Sequence, residues 1–344
     1  MTRAKSSITG ILLTLLISIG LFSCAPETQV PKEPVITMVI HGGAGTITRD
    51  KMTPEQEKAH VDKLTEALEA GMAILQNDGS CLDAVEAAIR ILEDSPLFNA
   101  AKGAVFTAQG KNEHDASIMD GSTHSAGAVA SVTTIKNPIS AARAVMEHTG
   151  HVLLVGRGAE MFAASQGLDI VDPEYFFDQR RWDALLKVKE EEQSSLERPL
   201  KSAEKMGTVG ALALDRHGNL AAGTSTGGLT NKKHGRVGDS PIIGAGNYAN
   251  NATCAVSGTG QGEFFMRGLI AYDVSALMEY QKMSVTAAAD KVIEKLTAAE
   301  GLGGLIALDA AGNVAMPFNT PGMYRGYVKN GGEVHVYLYG DDVE

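Results

Sequence analysis

A threonine in the second half of the chain is the residue best placed to act as a nucleophile. Thr208 follows Gly207, where a charged, apolar-poor stretch meets the start of a strand-like run. A threonine hydroxyl is a weak nucleophile and needs a base. If the bond before Thr208 breaks, the new α-amine, with a pKa of about 8, lies within reach of the hydroxyl. Gly207 favours such self-cleavage because glycine tolerates the strained backbone angles that bring the hydroxyl to the preceding carbonyl.

Motifs rich in glycine, threonine and charge lie around this threonine in a fixed order. From residue 207 they are Gly207-Thr208-Val209-Gly210-Ala211, Thr224-Ser225-Thr226-Gly227-Gly228, Gly235-Arg236-Val237-Gly238-Asp239-Ser240-Pro241 and Thr259-Gly260-Gln261-Gly262-Glu263. Two earlier motifs are His41-Gly42-Gly43-Ala44-Gly45 and Pro96-Leu97-Phe98-Asn99-Ala100. Over about residues 35–327 the chain resembles the plant-type asparaginase/isoaspartyl peptidase family of N-terminal nucleophile hydrolases. The resemblance implies an α/β fold, a four-layer αββα sandwich, with autocleavage between Gly207 and Thr208.

The resemblance also implies the catalytic roles. Thr208 is then the nucleophile, its freed amine the base, and Thr226 the neighbouring hydroxyl that orients it. Thr259 and Gly260 match the family's oxyanion pair, a hydroxyl and a backbone N–H that face the developing negative charge. His41, with the glycines after it, belongs to a loop that supports precursor processing. That processing loop is His41, Gly42 and Gly43.

Two charged residues are expected to bind the substrate. By resemblance, Arg236 grips the substrate α-carboxylate, since a planar guanidinium makes two charged hydrogen bonds to such a group. Asp239 holds the substrate ammonium. The implied reaction is hydrolysis of the β-amide of L-asparagine and of β-aspartyl dipeptides through an aspartyl ester on Thr208. Two alternatives stay open: a glycosylasparaginase acting on sugar-asparagine conjugates, and an inactive lipid-anchored binding protein.

A loop after the second predicted helix resembles the family's structural sodium site, in which backbone carbonyls hold the ion. The matching positions are Leu92, Glu93, Ser95, Phe98, Ala100 and Lys102. Ala101 stands where the family usually has glycine, and this change can alter the loop backbone. Catalysis itself is expected to need no cofactor, and the histidines and cysteines show no metal-ligand spacing.

An antiparallel hairpin is predicted to position the nucleophile. Residues 211–221 hold an apolar run, an Asp-x-x-Gly-Asn turn and a second apolar run, and residues 305–315 repeat the pattern. If Asp215 faces Leu220, or the register shifts by one, Thr208 lies opposite residue 226 or 227. Directly opposite residues are about 5 Å apart. The hairpin therefore brings Thr226 beside Thr208.

The rest of the chain is predicted to supply stacked sheets between two helical layers. An apolar run, Val35 to Ile40, predicts a buried strand, and Thr53-Pro54 with Gln56 predicts a helix start with a capping box. We expect residues 35–207 to form an α subunit, with a mobile linker at about 183–206, and residues 208–344 a β subunit. Both belong to one structural domain, and the family resemblance implies that two copies of each make an (αβ)2 heterotetramer.

The N-terminus resembles a bacterial lipoprotein signal. Arg3 and Lys5 precede an apolar run that ends at Leu21-Phe22-Ser23-Cys24. Residues 1–23 are then a signal peptide, Cys24 the lipidated residue and residues 24–34 a tether, unless the segment is an ordinary signal peptide with Cys24 incidental. The expected location is the cell envelope, periplasm or surface of a bacterium, with the membrane contacted only through the anchor.

Composition restricts the partners. The formal net charge is −11 and aromatic residues make up 5% of the chain. A nucleic-acid surface needs basic patches and favours stacking aromatics, so nucleic acid is not an expected partner. The expected partners are small aspartyl compounds.

Overall fold

A computed structural model of the chain describes Met1, residues 34–194 and residues 207–342. The strands are β1 (Thr37–Gly45), β2 (His114–Asp120), β3 (Ala126–Val132), β4 (Leu153–Val155), β5 (Val209–Leu214), β6 (Leu220–Thr226), β7 (Asn247–Ala249), β8 (Cys254–Gly260), β9 (Gly303–Asp309), β10 (Val314–Ala315), β11 (Gly322–Lys329) and β12 (His335–Tyr339). The α-helices are α1 (Pro54–Gln76), α2 (Cys81–Glu93), α3 (Pro138–His148), α4 (Gly156–Ser165), α5 (Gln179–Ser194), α6 (Gly262–Gly268), α7 (Ile270–Gln281) and α8 (Val285–Ala298). Three short 3-10 helices are Arg49–Lys51, Ala101–Gly103 and Pro173–Phe176.

The strands form two sheets. The larger has eight strands in the order β12-β11-β1-β5-β6-β2-β3-β4, and the smaller has four in the order β10-β9-β8-β7. β1 and β5–β6 lie at the centre of the larger sheet, so the strands that carry the processing loop and the two predicted catalytic threonines are neighbours. β8, which carries the predicted oxyanion pair, lies inside the smaller sheet.

Three apolar clusters separate four layers. One lies between α1–α4 and the larger sheet, with Leu64 and Val209 among its members. A second lies between the two sheets and includes Leu212 and Ile306. The third joins the smaller sheet to α7 and α8 and includes Val292. This order of helices, sheet, sheet and helices confirms the predicted αββα sandwich.

Local sequence signals explain where the first helices begin. The Thr53 hydroxyl accepts the Gln56 N–H while the Gln56 side chain accepts the Thr53 N–H, and this capping box starts α1 as predicted. The Ser80 hydroxyl caps α2 by accepting the Asp83 N–H. Such a cap is typically worth about 1 kcal/mol of helix stability.

The stretch before Thr208 begins with a helix. The sequence predicts a mobile linker over about 183–206, and α5 extends into this range, to residue 194. Leu185 is buried, and Lys233 Nζ lies 2.9 Å from a Glu192 carboxylate oxygen. Lysine, glutamate and leucine favour helix, and packing of one apolar side chain outweighs the low overall apolar content. Residues 195–206 lie outside the described residues.

Candidate active site

The β5–β6 hairpin brings the two predicted catalytic threonines together. Val209 pairs with Ser225, so the same register places Thr208 opposite Thr226. The Thr208 hydroxyl oxygen lies 3.1 Å from the Thr226 hydroxyl oxygen and 2.8 Å from the carbonyl oxygen of Gly207. Both threonines are buried. This confirms one of the two predicted registers, and the nucleophile candidate already contacts the peptide unit before it.

Besides the Thr208 hydroxyl, two side-chain donors hold the carbonyl of Gly207. Asn99 Nδ2 donates to it at 2.9 Å and the Thr226 hydroxyl donates at 3.1 Å. The Asn99 amide is itself fixed, because Nδ2 also donates to the Gly228 carbonyl and Oδ1 accepts the Val105 N–H. Two aligned donors on one carbonyl oxygen can stabilise negative charge that develops there during attack on the carbonyl carbon.

His41 fixes the peptide after the nucleophile and stays neutral. Its Nδ1 lies 3.1 Å from the Thr208 carbonyl oxygen and its Nε2 lies 2.9 Å from the Ser257 hydroxyl. A carbonyl oxygen only accepts, so Nδ1 carries the proton and Nε2 accepts from Ser257. Burial lowers the pKa of His41 to about 3. His41 therefore positions Thr208 by hydrogen bonding and not by charge.

Gly210 leaves the space that this contact needs. A Cβ there would lie 2.1 Å from Ser257 Oγ and 2.3 Å from His41 Nε2. We expect Gly210→Ala to lower the free energy of unfolding by about 1–3 kcal/mol through overpacking and to slow self-cleavage. Thermal unfolding and the fraction of cleaved chain measure both effects. Gly150→Ala is the control, since nothing lies within 4 Å of its added Cβ; equal behaviour of both variants would contradict the expectation.

The processing loop closes over the bond before Thr208. β1 and β11 shift register between His41 and Gly43, where the chain bulges. Gly43 has a φ of 115°, and a Cβ there would lie 2.9 Å from Gly207 Cα and 3.3 Å from the Thr208 nitrogen. A Cβ on Gly42 would lie 2.6 Å from the Phe98 ring. Only glycine, which has no side chain, therefore fits at these two positions of the loop.

The predicted oxyanion pair lies at the end of β8. Thr259 is buried, and its hydroxyl oxygen accepts the Ala44 N–H at 3.3 Å. This contact uses a lone pair and leaves the Thr259 O–H to donate. Gly260 pairs with Gly303 of β9 and lines the same pocket as Thr208. Gly260 therefore lies in the pocket of the nucleophile, with Thr259 next to it in the chain.

The predicted substrate-binding charges lie in the loop between β6 and β7. The Arg236 guanidinium contacts the Glu263 carboxylate through two hydrogen bonds, of 2.9 and 3.1 Å. A Cβ on Gly262 would lie 2.8 Å from both Arg236 Nη2 and Asp239 Oδ1. The two charged groups therefore face the same small space, which Gly262 keeps open.

That space is a pocket that joins the charges to the nucleophile. Its lining includes Gly207, Thr208, Thr226, Arg236, Asp239 and Gly260. Among the described residues, the buried Asp239 Oδ2 has no hydrogen-bond partner. Burial raises the pKa of Asp239 to about 7. An unpaired carboxylate in a small pocket favours a ligand that carries an ammonium group.

The predicted sodium-loop residues lie between α2 and the 3-10 helix at 101–103. Ala101 has a φ of 40°, the left-handed backbone that glycine adopts readily. The carbonyls of Leu92 and Ala100 accept the N–H groups of Ser95 and Gly103. The Glu93 side chain turns inward, where its Oε1 accepts from Ile139 N and the Ser225 hydroxyl. Phe98 and Lys102 complete the predicted set; Phe98 packs on Gly42, and the Lys102 ammonium lies 4.4 Å from the centre of the Tyr175 ring.

Three contacting residues were not assigned roles from the sequence. Asn99 and Glu263 each stand in a recognisable motif, but the sequence does not show that one contacts Gly207 and the other Arg236. Ser257 lies inside an apolar run, and nothing in its setting indicates a contact with His41. In sequence, Asn99 is 108 positions from Gly207, Glu263 is 27 positions from Arg236, and Ser257 is 216 positions from His41.

Comparisons with known proteins agree with this geometry. A family model described as asparaginase matches residues 34–338. The chain is 53% identical over 294 residues to the isoaspartyl peptidase of Escherichia coli (strain K12), covering 84% of this chain and 92% of the relative. It is 42% identical over 302 residues to the isoaspartyl peptidase/L-asparaginase of Rattus norvegicus, covering 86% and 87%. It is 42% identical over 313 residues to the plant-type L-asparaginase of Pyrococcus horikoshii, covering 87% and 98%.

The comparisons overturn one prediction, that of an exported, lipid-anchored protein. The relatives' names describe peptidases and asparaginases and no anchored or exported form. Within residues 34–194 and 207–342, no helix is long and apolar enough to cross a membrane. The prediction is wrong because it rests on a short apolar run before Cys24, a pattern of low specificity. Residues 2–33, which include Cys24 and the predicted signal and tether, lie outside the described residues.

Fold, site and comparisons point the same way. The family match covers residues 34–338, which include both sheets, the hairpin and the pocket. A relative more than half identical over most of both chains supports the same assignment. The chain therefore belongs to the asparaginase family of hydrolases.

Proposed function

We propose that this protein cleaves itself between Gly207 and Thr208 and then hydrolyses the β-amide bond of L-asparagine and of β-aspartyl dipeptides. One observation carries the proposal. The Thr208 hydroxyl, 2.8 Å from the Gly207 carbonyl oxygen and 3.1 Å from the Thr226 hydroxyl, opens into a pocket that ends in Arg236 and Asp239. The Escherichia coli relative is named an isoaspartyl peptidase and the Rattus norvegicus relative an isoaspartyl peptidase/L-asparaginase, which supports the hydrolytic part of the proposal.

The first reaction makes the enzyme. Thr208 Oγ1 attacks the Gly207 carbonyl carbon, and Asn99 and Thr226 stabilise the resulting oxyanion from 2.9 and 3.1 Å. The proton of the Thr208 hydroxyl passes to the Thr208 nitrogen as the bond between that nitrogen and the Gly207 carbon breaks, which leaves Gly207 joined to Thr208 as an ester. Water then hydrolyses the ester and releases a Gly207 carboxylate and a Thr208 α-amine.

The second reaction is turnover. The Thr208 amine accepts the hydroxyl proton while Oγ1 attacks the substrate β-carbonyl carbon. Thr259 and Gly260 donate to the oxyanion, and the ammonium returns the proton to the leaving amine. Water hydrolyses the aspartyl ester and frees aspartate. These groups supply nucleophile, base and oxyanion donors, so the proposed chemistry uses no cofactor.

The pocket recognises the aspartyl head. Two hydrogen bonds to the Glu263 carboxylate orient the Arg236 guanidinium, which binds the substrate α-carboxylate. Asp239 accepts the α-ammonium, which also supplies the partner that its buried oxygen lacks. Both substrates carry the same head and differ in the leaving amine. Within the described site we found no observation that favours the glycosylasparaginase or the inactive binding protein.

The Asp239 pKa predicts a pH effect that depends on the substrate ammonium. Below about pH 7 Asp239 is protonated, because burial raises its pKa, and it then attracts an ammonium less strongly. We expect kcat/KM for L-asparagine, relative to succinamate, to fall up to about tenfold per pH unit below that value. Succinamate lacks the α-amine that Asp239 would bind. Titration of the Thr208 amine changes kcat/KM for both substrates equally, so its effect cancels from the ratio. A ratio that stays constant from pH 5 to 8, measured by ammonia release, would contradict this role.

Intact mass tests the proposed function directly. The purified chain, after incubation, should give two fragments, the smaller beginning at Thr208, and should release ammonia from L-asparagine and leucine from β-aspartyl-leucine. A chain that stays whole, or two fragments that prefer glycosylasparagine, would overturn it. We also propose that the α subunit ending at residue 207 and the β subunit from residue 208 assemble as (αβ)2. Native mass of the cleaved protein distinguishes this from a single αβ pair.

A structural sodium ion in the loop at 92–102 is a further proposal. The left-handed backbone at Ala101 supports it, because it is the conformation that a glycine there would adopt. Glu93 also keeps a buried Oε2 without a hydrogen-bond partner among the described residues. Carbonyl oxygens are suitable ligands for a hard cation. We expect a higher melting temperature in sodium chloride than in choline chloride at equal ionic strength; identical values would exclude the site.

A further inference from the structure

A second cavity meets the substrate pocket at Gly207. The substrate pocket is lined by Thr208, Arg236 and Asp239, and also by Gly207. The other cavity is lined by Gly207 together with Gly43. Gly207 therefore borders both spaces, whereas Thr208 lines only the substrate pocket. Once the bond before Thr208 is cleaved, Gly207 is no longer attached to Thr208, and the two spaces can join beside the new amine.

The second cavity is strongly basic. Three cationic side chains line it, Lys51, Arg180 and Arg181, and no aspartate or glutamate is among its described lining residues. Arg180 Nε lies 3.8 Å from Asp178, just outside the lining. We name this cavity, with Lys51, Arg180 and Arg181, the basic cavity.

Backbone carbonyls accept hydrogen bonds from both guanidiniums, and the carboxylate near them is that of Asp178, 3.8 Å from Arg180 Nε. Arg180 Nη2 donates to the Pro96 carbonyl at 2.7 Å, and Arg181 Nε donates to the Gly103 carbonyl at 2.8 Å. Burial, followed by the neighbouring Arg180, lowers the pKa of Arg181 to about 10. Positive charge in this cavity is thus only partly compensated, and an anion bound there would relieve it.

The chemistry of the leaving group directs it toward the same cavity. The leaving nitrogen receives its proton from the Thr208 α-ammonium, so it must lie next to the Thr208 nitrogen. A Cβ on Gly43 would lie 3.3 Å from that nitrogen, and Gly43 lines the basic cavity. The aspartyl head extends to Arg236 and Asp239, which line the substrate pocket and not the basic cavity. Whatever is attached to the leaving nitrogen therefore points to the side that Gly207 occupies before cleavage.

Resting on the proposed function, we propose that the basic cavity binds the α-carboxylate of the leaving amino acid of β-aspartyl dipeptides, which makes Arg180 and Arg181 specificity-determining residues. Ammonia, the leaving group of L-asparagine, has no carboxylate and gains nothing from the cavity. The basic cavity thus sets the preference for dipeptides over asparagine, while the Thr208 side of the site serves both substrates.

A substrate pair tests the proposal without changing the protein. The cleaved enzyme is assayed with β-aspartyl-glycine and with β-aspartyl-glycinamide, in which an uncharged amide replaces the leaving carboxylate. We expect kcat/KM to be about tenfold higher for the acid, the usual size of one charged hydrogen bond. Equal values would overturn the proposal and would indicate that the Gly207 carboxylate released by cleavage stays bound in the basic cavity.

Variants locate the effect. Arg181→Gln, Arg180→Gln and Lys51→Gln should each reduce the preference for the acid over the amide and lower the ratio of dipeptide to asparagine kcat/KM. Arg157→Gln, an exposed arginine of α4, is the matched control and should keep both ratios. Lys51 is exposed, so its variant folds even if a guanidinium variant does not. Ratios that stay at wild-type values in all three variants would refute the proposal and leave the proposed function intact; an enzyme that hydrolyses neither substrate refutes the function itself.

Discussion

Thr208→Ala is expected to remain a single uncleaved chain and to lose hydrolysis of both L-asparagine and β-aspartyl dipeptides. The variant lacks the hydroxyl that lies 2.8 Å from the Gly207 carbonyl oxygen. Without cleavage the Thr208 nitrogen also stays an amide, so nucleophile and base are lost by one change. Removing a nucleophile of this kind typically costs about 10⁴-fold or more in rate. Intact mass and ammonia release measure the two losses separately.

Thr208→Ser is the matched control, because it keeps the hydroxyl and the preceding carbonyl. It should cleave and turn over, at a lower rate if the missing methyl loosens the rotamer that points Oγ1 at Thr226. Full turnover by Thr208→Ala would refute the mechanism. A Thr208→Ala chain that is cleaved at Gly207 would show that another group, or a contaminating protease, breaks the bond.

Arg236→Gln is expected to lower kcat/KM for L-asparagine by about 30-fold or more. A substrate carboxylate bound to Arg236 would form a desolvated charged pair; losing one member of such a pair costs about 2–5 kcal/mol, and 1.4 kcal/mol is tenfold. The change removes the guanidinium that would meet the α-carboxylate and leaves Glu263, now without its two hydrogen bonds, facing the same negative group. The loss should fall mainly on KM, since the reacting carbonyl lies at the other end of the pocket.

Two controls accompany this variant. The extent of self-cleavage reports whether Arg236→Gln still folds, because that reaction takes place at Gly207. Arg267→Gln changes an arginine of the same helix as Glu263, whose guanidinium packs over the Phe264 ring. It should leave the kinetics of L-asparagine hydrolysis near wild type. Equal losses in both variants would point to a general charge effect and not to substrate binding.

The hairpin explains why so much of the site could be predicted. Its turn, Asp215 to Asn219, is local in sequence, and a strand pair transmits that register residue by residue. The turn therefore limits the partner of Thr208 to residue 226 or 227, and the structure has Thr226. The αββα layering could also be predicted, since helical and alternating apolar patterns are local properties and the family resemblance orders them.

Contacts between distant strands could not be predicted in the same way. Asn99 reaches Gly207 only because the turn after α2 packs beside the β5–β6 hairpin. His41 reaches Ser257 because the two sheets face one another with Gly210 leaving space between them. Whether residues 183–194 form a helix likewise depends on packing, because their composition alone indicates a poorly ordered segment.

The sequence by itself determined the family, and it singled out the threonine, the bond before it and the charged pair on which the proposed function depends. These conclusions depend on residue types at short spacings in a fixed order, and the chemical properties of those side chains do not depend on the fold. Only the tertiary structure decided that Asn99 and Thr226 share the Gly207 carbonyl, that Glu263 holds Arg236, and that a second, basic cavity is lined by Gly207. Such contacts join residues up to 216 positions apart, and their geometry is set by how whole layers pack and not by any local pattern.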